Sequence, residues 1–284
     1  MRCASPPVEL PYTEIAPPAD LAPYVDRLWL RTTVRGVAGR VHRVLPDGCV
    51  DVIVHADRGS AELVGTMTRA LKVADGPAQL VAVRFKPGTA AAVARCSLAE
   101  LTDREADVAE LGIAGGLVDR ICDPQDRAVT PSLSPKIPLS AADHARITAL
   151  VAWLREQLAG APPPDPRVAR AVALLSSGEA RVAEVAGMLG VTRQHLARSF
   201  RREVGITPKQ LARIARMQRV VAALRRGGDL ARLAAELGYF DQSHLSHELR
   251  DLVGLTPAAL AAERPIALSH LFSVAGNPGE FHTK

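Results

Sequence analysis

No segment of the 284-residue chain approaches the roughly 18 consecutive apolar residues that a membrane-spanning helix requires. The opening residues, MRCASPPVELPY, lack the apolar core of a secretory signal, so a soluble cytoplasmic protein without a membrane partner is expected. Cysteine is scarce. Cys3, Cys49, Cys96 and Cys122 stand far apart, with no CxxC and no Cys/His pair at metal-ligand spacing. That argues against a disulfide framework and a zinc knuckle. Acidic charge is nearly absent from one stretch, since residues 190–226 hold ten Lys or Arg and a single acidic residue, Glu203.

The net charge of +5 is therefore uneven. Residues 166–264 carry 16 basic and 9 acidic side chains, a net of +7, against 19 and 21 elsewhere, a net of −2. Basic charge gathered into one region points to a polyanionic partner. Charge alone does not decide this, because Arg-rich helices can simply be solvated.

The chain divides at AGAPPPDP (159–166), where three successive prolines stop a helix and favour an extended spacer. Everything beyond it reads as helix. Before it, CVDVIVHA (49–56) alternates Val50, Val52 and Val54 with Asp51, Ile53 and His55, a strand entered from the turn signal PDG. QLVAVRFKPG (79–88) alternates likewise, with Val81, Val83 and Phe85 opposite Ala82, Arg84 and Lys86. Residues 88–112 read as a helix broken near Cys96–Ser97, and 130–138 as a Pro/Ser-rich loop. Residues 140–160 give an amphipathic helix with Ile147, Val151, Leu154 and Leu158 on one stripe. The first half is thus α+β, with a β core and a terminal helix.

The second half contains one pattern twice. Val182, Val185, Ala186, Leu189 and Gly190 match Leu230, Leu233, Ala234, Leu237 and Gly238. After one inserted residue, Leu196, Phe200, Gly205, Pro208 and Leu211 match Leu245, Leu249, Gly254, Pro257 and Leu260. Each unit reads as a helix, a turn opened by a positive-φ glycine, and a second helix capped by Thr192 or Asp241. That is a helix-turn-helix design. A long helix over 208–228, buried along Ile214, Met217, Val221 and Leu224, joins the two.

The outer faces of the second helices carry hydrogen-bonding or small side chains. In the first unit Gln194, Ala197, Arg198 and Arg201 share one face. In the second Ser243, Ser246, His247 and Arg250 project, with Gln242 and His244 beside them. Arg can pair with guanine, Gln with adenine, and small residues permit close approach to a thymine methyl or phosphate. With Arg193, Arg202 and Lys209 these make the candidate DNA-binding set. Lys209, Arg213 and Arg216 either track phosphates or solubilise the connecting helix, and His195 is either a packing residue or a base contact.

AAELGYFDQSHLSHELRDLVGLTPAAL (234–260) resembles the signature of AraC/XylS-type transcription regulators, A-x-x-x-G-[FY]-x-[DS]-Q-S-x-[FL] followed by F-[KR]-x-x-x-G-x-[ST]-P. The resemblance implies two recognition helices in successive major grooves of double-stranded DNA, about 34 Å apart. His247 stands where the family usually has Arg, and Leu249 where it has Phe, so the first unit is expected to dominate affinity. RFKPGTAAAV (84–93) resembles the N-terminal half of a poorly characterised AraC-type subgroup, which implies a cupin-like β core that senses a signal or dimerises.

The expected architecture is a β-rich, cupin-like N-terminal domain with helices (1–158), a proline-rich linker (159–166), an all-α tandem helix-turn-helix domain (167–264) and a tail (265–284). The expected function is sequence-specific transcription regulation without enzymatic activity, cofactor or metal. A small-molecule effector, a homodimer and RNA polymerase stay open as further partners. Two enzyme alternatives are weaker. A DNA alkylation-repair methyltransferase needs a cysteine-rich zinc cluster that is missing. A cupin-type metal enzyme needs converging ligands where the strands offer only His42 and His55, and Cys49 between them reads as a small core residue.

Overall fold

A computed structural model describes residues 12–33, 41–74, 77–123, 139–178 and 180–262. Six strands form one antiparallel sheet: β1 (Tyr12–Ile15), β2 (Val25–Thr33), β4 (Val50–His55), β5 (Ser60–Val64), β7 (Ala78–Phe85) and β8 (Glu105–Asp107), in the order β1-β2-β7-β4-β5-β8. A separate ribbon pairs β3 (Val41–Val44) with β6 (Leu71–Ala74). Register explains why one face is buried. Leu28 faces Val83, Val83 faces Val52, and Val52 faces Leu63, so four fully buried apolar side chains form one row across four strands. Such rows of branched side chains are what stabilise a sheet and fix its register.

Three helices cover that face: α1 (Ala91–Ala94), α2 (Leu117–Cys122) and α3 (Ala141–Leu158). Ser140 caps α3 by accepting from the Asp143 N–H, and Ile147, Leu150, Val151, Trp153 and Leu154 are buried, with Leu158 packed at the edge. The Trp153 indole N–H donates to the Ile113 carbonyl at 3.2 Å, so the largest core side chain leaves no polar atom unpaired.

One expectation needs correction. Residues 88–112 are not a broken helix: only Ala91–Ala94 is α-helical, followed by a short 3-10 turn at Leu98–Glu100 and then β8. Helix-forming composition loses here to tertiary contacts. Arg95 and Asp103 take left-handed backbone (φ 56° each), the Asp103 carboxylate accepts from Thr68, and Glu105–Asp107 pair with the edge of β5. Arg84 lies opposite Val83 and Phe85, as the alternation implies, and is itself buried (5 % exposed). It pairs with Asp51 at 3.2 Å and approaches Asp47 at 3.3 Å, while the Trp29 indole N–H donates to Asp51. These two carboxylates hold the Arg84 guanidinium charged despite its burial. The expected loop at 130–138, the tail at 265–284 and Cys3 lie outside the described residues.

The second half is all helix: α4 (Pro166–Ser177), α5 (Val182–Met188), α6 (Arg193–Glu203), α7 (Pro208–Arg225), α8 (Leu230–Glu236), α9 (Gln242–Val253) and α10 (Pro257–Ala262). Their inner faces make a second core, including Val185, Ala186, Leu196, Phe200, Ile214, Met217, Val221, Leu233, Ala234, Leu245 and Leu249. Leu45, from the β3–β4 connection, inserts into that core from the β-rich half. Among the described residues no helix is long and apolar enough to cross a membrane.

The two halves meet through specific polar contacts, not through the proline spacer alone. The buried Gln218 side chain of α7 donates to the Pro46 carbonyl at 2.8 Å. The Thr66 hydroxyl donates to the Val204 carbonyl, and the Thr102 hydroxyl to the Gly205 carbonyl at 2.6 Å, just past α6. At the end of α9 the Ala70 N–H donates to the Leu252 carbonyl at 2.8 Å and the Arg43 guanidinium to the Val253 carbonyl at 2.9 Å. Helix C-termini leave carbonyls without intrahelical partners, and the β-rich half satisfies them in both units.

Candidate nucleic-acid interface

Both helix-turn-helix units close by the same chain geometry. Gly190 and Gly238 adopt φ of 64° and 71°, which a residue with a Cβ rarely does, and so reverse the chain after α5 and α8. The Val191 N–H then donates to the Ala186 carbonyl (3.0 Å) and the Tyr239 N–H to the Ala234 carbonyl (2.9 Å). This six-to-one bond is the usual helix-ending pattern. Thr192 accepts from the His195 N–H and Asp241 from the His244 N–H, starting α6 and α9.

On α6 the side chains of Arg193, Gln194, Arg198, Arg201 and Arg202 are exposed and Ala197 is half-buried, while Leu196 and Phe200 point into the core. Lys209 is exposed in the first turn of α7. On α9 Gln242, Ser243, His244, His247 and Arg250 are exposed and Ser246 is half-buried, above the buried Leu245 and Leu249. All thirteen residues therefore lie on the outer faces or ends of the helices, and none is consumed by the core. His195 is exposed too, which removes its packing alternative. Arg202 shares its guanidinium with Glu203.

Arg213 and Arg216 do neither of the things expected of them. Arg213 pairs with Glu248 at 3.0 Å and Asp251 at 2.8 Å, and Arg216 pairs with Glu248 at 2.8 Å. Glu248 is 5 % exposed and also accepts from the Tyr239 hydroxyl at 3.0 Å, while Arg216 lies 4.3 Å above the Tyr239 ring. This network ties the connecting helix α7 to α9. Burial beside Glu248 raises the Tyr239 phenol, and hydrogen bonding to Arg213 lowers the Asp251 carboxyl. The network was legible in principle: Glu248 falls between Leu245 and Leu249 on the inward stripe, a position where a charge needs a buried partner.

Arg43 and Arg69 of the β-rich half also reach this end of α9, Arg69 pairing with Asp251 at 3.3 Å. In the sheet, His55 contacts Glu62 and Arg58 at 2.9 Å each, whereas His42 is buried near Arg31. Burial, then the Asp47 charge, pushes the Cys49 thiol well above its ordinary range, the opposite of what a nucleophilic cysteine needs. Among the described residues no three His, Cys, Asp or Glu side chains group to hold a metal ion.

Residues 185–263 match the family described as a helix-turn-helix domain. The helical half carries an AraC-type helix-turn-helix domain. A domain of this type makes the chain a DNA-binding transcription regulator. Residues 13–107, ahead of the AraC-type domain, match a domain of unknown function, DUF6597. No curated protein matches the chain. Among solved structures, the C-terminal domain of AraT, a response regulator from Geobacillus stearothermophilus, is 21% identical and covers 42% of this chain and 98% of its own, with a TM-score of 0.33. Apo ToxT K231A from Vibrio cholerae is 10% identical and covers 89% of this chain and 93% of its own, at 0.39. Likeness at this level carries no argument about the AraC-type domain here.

Proposed function

We propose that α6 and α9 read successive major grooves on one face of a duplex, and that region 1–158 modulates how they do so. The division behind this reading is a sensing or dimerisation domain at 1–158, a linker at 159–166, the DNA-binding domain at 167–264 and a tail at 265–284. The observation that carries it is that both polar helix faces are free of the core while both helix C-termini are held by the same neighbouring body. A recognition helix uses its N-terminal residues on base edges, so anchoring at the C-terminal end leaves the reading end available.

In this reading Arg198 and Gln194 contact bases from the first unit, and Arg193, Arg201, Arg202 and Lys209 neutralise phosphates. Gln242, Ser243, His244, Ser246, His247 and Arg250 supply the second set of contacts. The test is selection of bound sequences from a random DNA pool with the full-length protein. The expected product is a site with two determinants about one helical turn apart. Recovery of no sequence, or of a single short determinant, would contradict the proposal. An inverted repeat of the whole site would identify a homodimer, and a single asymmetric copy one chain per site.

A further inference from the structure

The repeat contains one residue that its own architecture does not need. Between the turn glycine and the helix cap the first unit has only Val191, and the second has Tyr239 and Phe240. Tyr239 takes the place of Val191, because both make the six-to-one bond that ends the preceding helix. The inserted residue is therefore Phe240, and the first unit shows that the turn closes without it. Tyr239 is buried against Glu248 and Arg216, whereas Phe240 is 92 % exposed.

Single exposed apolar side chains are ordinary, so the exposure matters only because of where it occurs. Phe240 immediately precedes Asp241, the cap of α9, and is followed by the exposed Gln242, Ser243 and His244. Its backbone N–H donates to Nδ1 of His244 at 3.4 Å, and the His244 ring stands edge-on to Tyr239 at 5.4 Å. The same turn thus fixes the His244 ring and leaves its Nε2 for an outside partner. Major-groove base edges carry one apolar group, the C5-methyl of thymine.

We infer that Phe240 is a specificity-determining residue that packs on a thymine methyl beside the bases read by α9. This rests on the proposed reading of DNA by α6 and α9 and deepens it. The first unit, rich in Arg, then supplies most phosphate contacts, and the second, poorer in charge, supplies an apolar determinant that the first lacks.

The test uses the full-length protein, the DNA site it selects, and the same site with each thymine replaced in turn by deoxyuridine, which removes only the methyl. Wild-type protein should lose about four-fold in affinity at one thymine of the α9 half, the size of one buried methyl. Phe240→Ala should bind that site more weakly and show no further loss at that position, while Phe240→Leu should keep part of the methyl sensitivity. Unchanged thermal melting of both variants would show that the fold is intact, as the exposure of Phe240 requires. Equal uracil penalties in wild type and Phe240→Ala would overturn the inference while leaving DNA reading by the two helices standing. So would a Phe240→Ala protein that binds normally but fails in transcription with purified RNA polymerase, since that would make Phe240 a protein contact. Failure to select any DNA would remove the underlying reading as well.

Discussion

Arg198 and His247 occupy comparable places on the outer faces of α6 and α9, but their chemistry differs. A guanidinium is always charged and can pair bidentately, whereas an imidazole offers a single hydrogen bond from each ring nitrogen. Arg198→Ala should therefore cost about ten-fold or more in DNA affinity and His247→Ala a smaller factor, measured by equilibrium titration at fixed salt. Equal costs would refute the asymmetry. Glu248 sits at the centre of the ion-pair network that joins α7 and α9. Its removal would strand Arg216 and leave Arg213 with Asp251 alone, the two side chains being 23% and 31% exposed. That partial exposure screens the loss, so Glu248→Ala should destabilise by about 2 kcal/mol in urea melts, less than a fully buried pair would give. Asp251 sets a pH dependence. Its folded-state pKa is depressed by Arg213, so its contribution is present above the ordinary carboxylate value and is lost as pH falls through the lowered one. Asp251→Asn should lower stability at neutral pH and converge with wild type in acid, which flattens the acid limb of the stability curve below about pH 4. The inward spacing of Glu248 could be read from the sequence in principle, but its partners could not, because Arg213 and Arg216 lie more than thirty positions away on another helix.

At the scale of elements, the two units were legible from residue spacing because each closes locally. Inner-face periodicity, a positive-φ glycine and a capping Thr or Asp are all short-range signals, and α5–α6 and α8–α9 follow them. The strand at 50–55 and the helix at 141–158 were legible for the same reason. The stretch 88–112 was not, since its conformation is decided by Thr68 and the edge of β5. Nor was the way the sheet half grips the helices. Val204 and Val253 are equivalent positions of the repeat, and their carbonyls accept from Thr66 and Arg43 respectively. The glycines that follow, Gly205 and Gly254, take φ of 90° and 76°. A Cβ on Gly205 would meet the Leu98 carbonyl oxygen at 3.0 Å, and one on Gly254 would meet the Arg43 guanidinium at 3.4 Å. Gly205→Ala should therefore destabilise by about 2 kcal/mol, combining left-handed backbone cost with the close approach, and Gly254→Ala by about 1 kcal/mol. Thermal melts of the two variants would check the order, and a Gly205→Ala protein as stable as wild type would show that the contact is not formed.

For the whole molecule, one body touches α6 and α9 at matched ends, so under the proposed reading a displacement within it would alter their spacing. Coupling of this kind requires the two states to differ in contacts, and the Thr66, Thr102, Ala70 and Arg43 bonds are the contacts available. Thr66→Val should lower affinity for a two-determinant site several-fold while leaving affinity for an isolated α6 half-site unchanged, compared by titration on the two DNAs. Electrostatics gives a second whole-molecule expectation. If four to six of the exposed basic side chains meet phosphates, log K should fall against log salt with a slope of about −4 to −5. A slope near zero would contradict a phosphate-tracking surface.

The most direct measurement of the central claim is guanine N7-methylation interference on the selected site, because that methyl sits in the major groove. Two clusters of interference, separated by about 10 base pairs and lying on one face of the duplex, are predicted. A single cluster, or two clusters half a turn apart on opposite faces, would contradict the account.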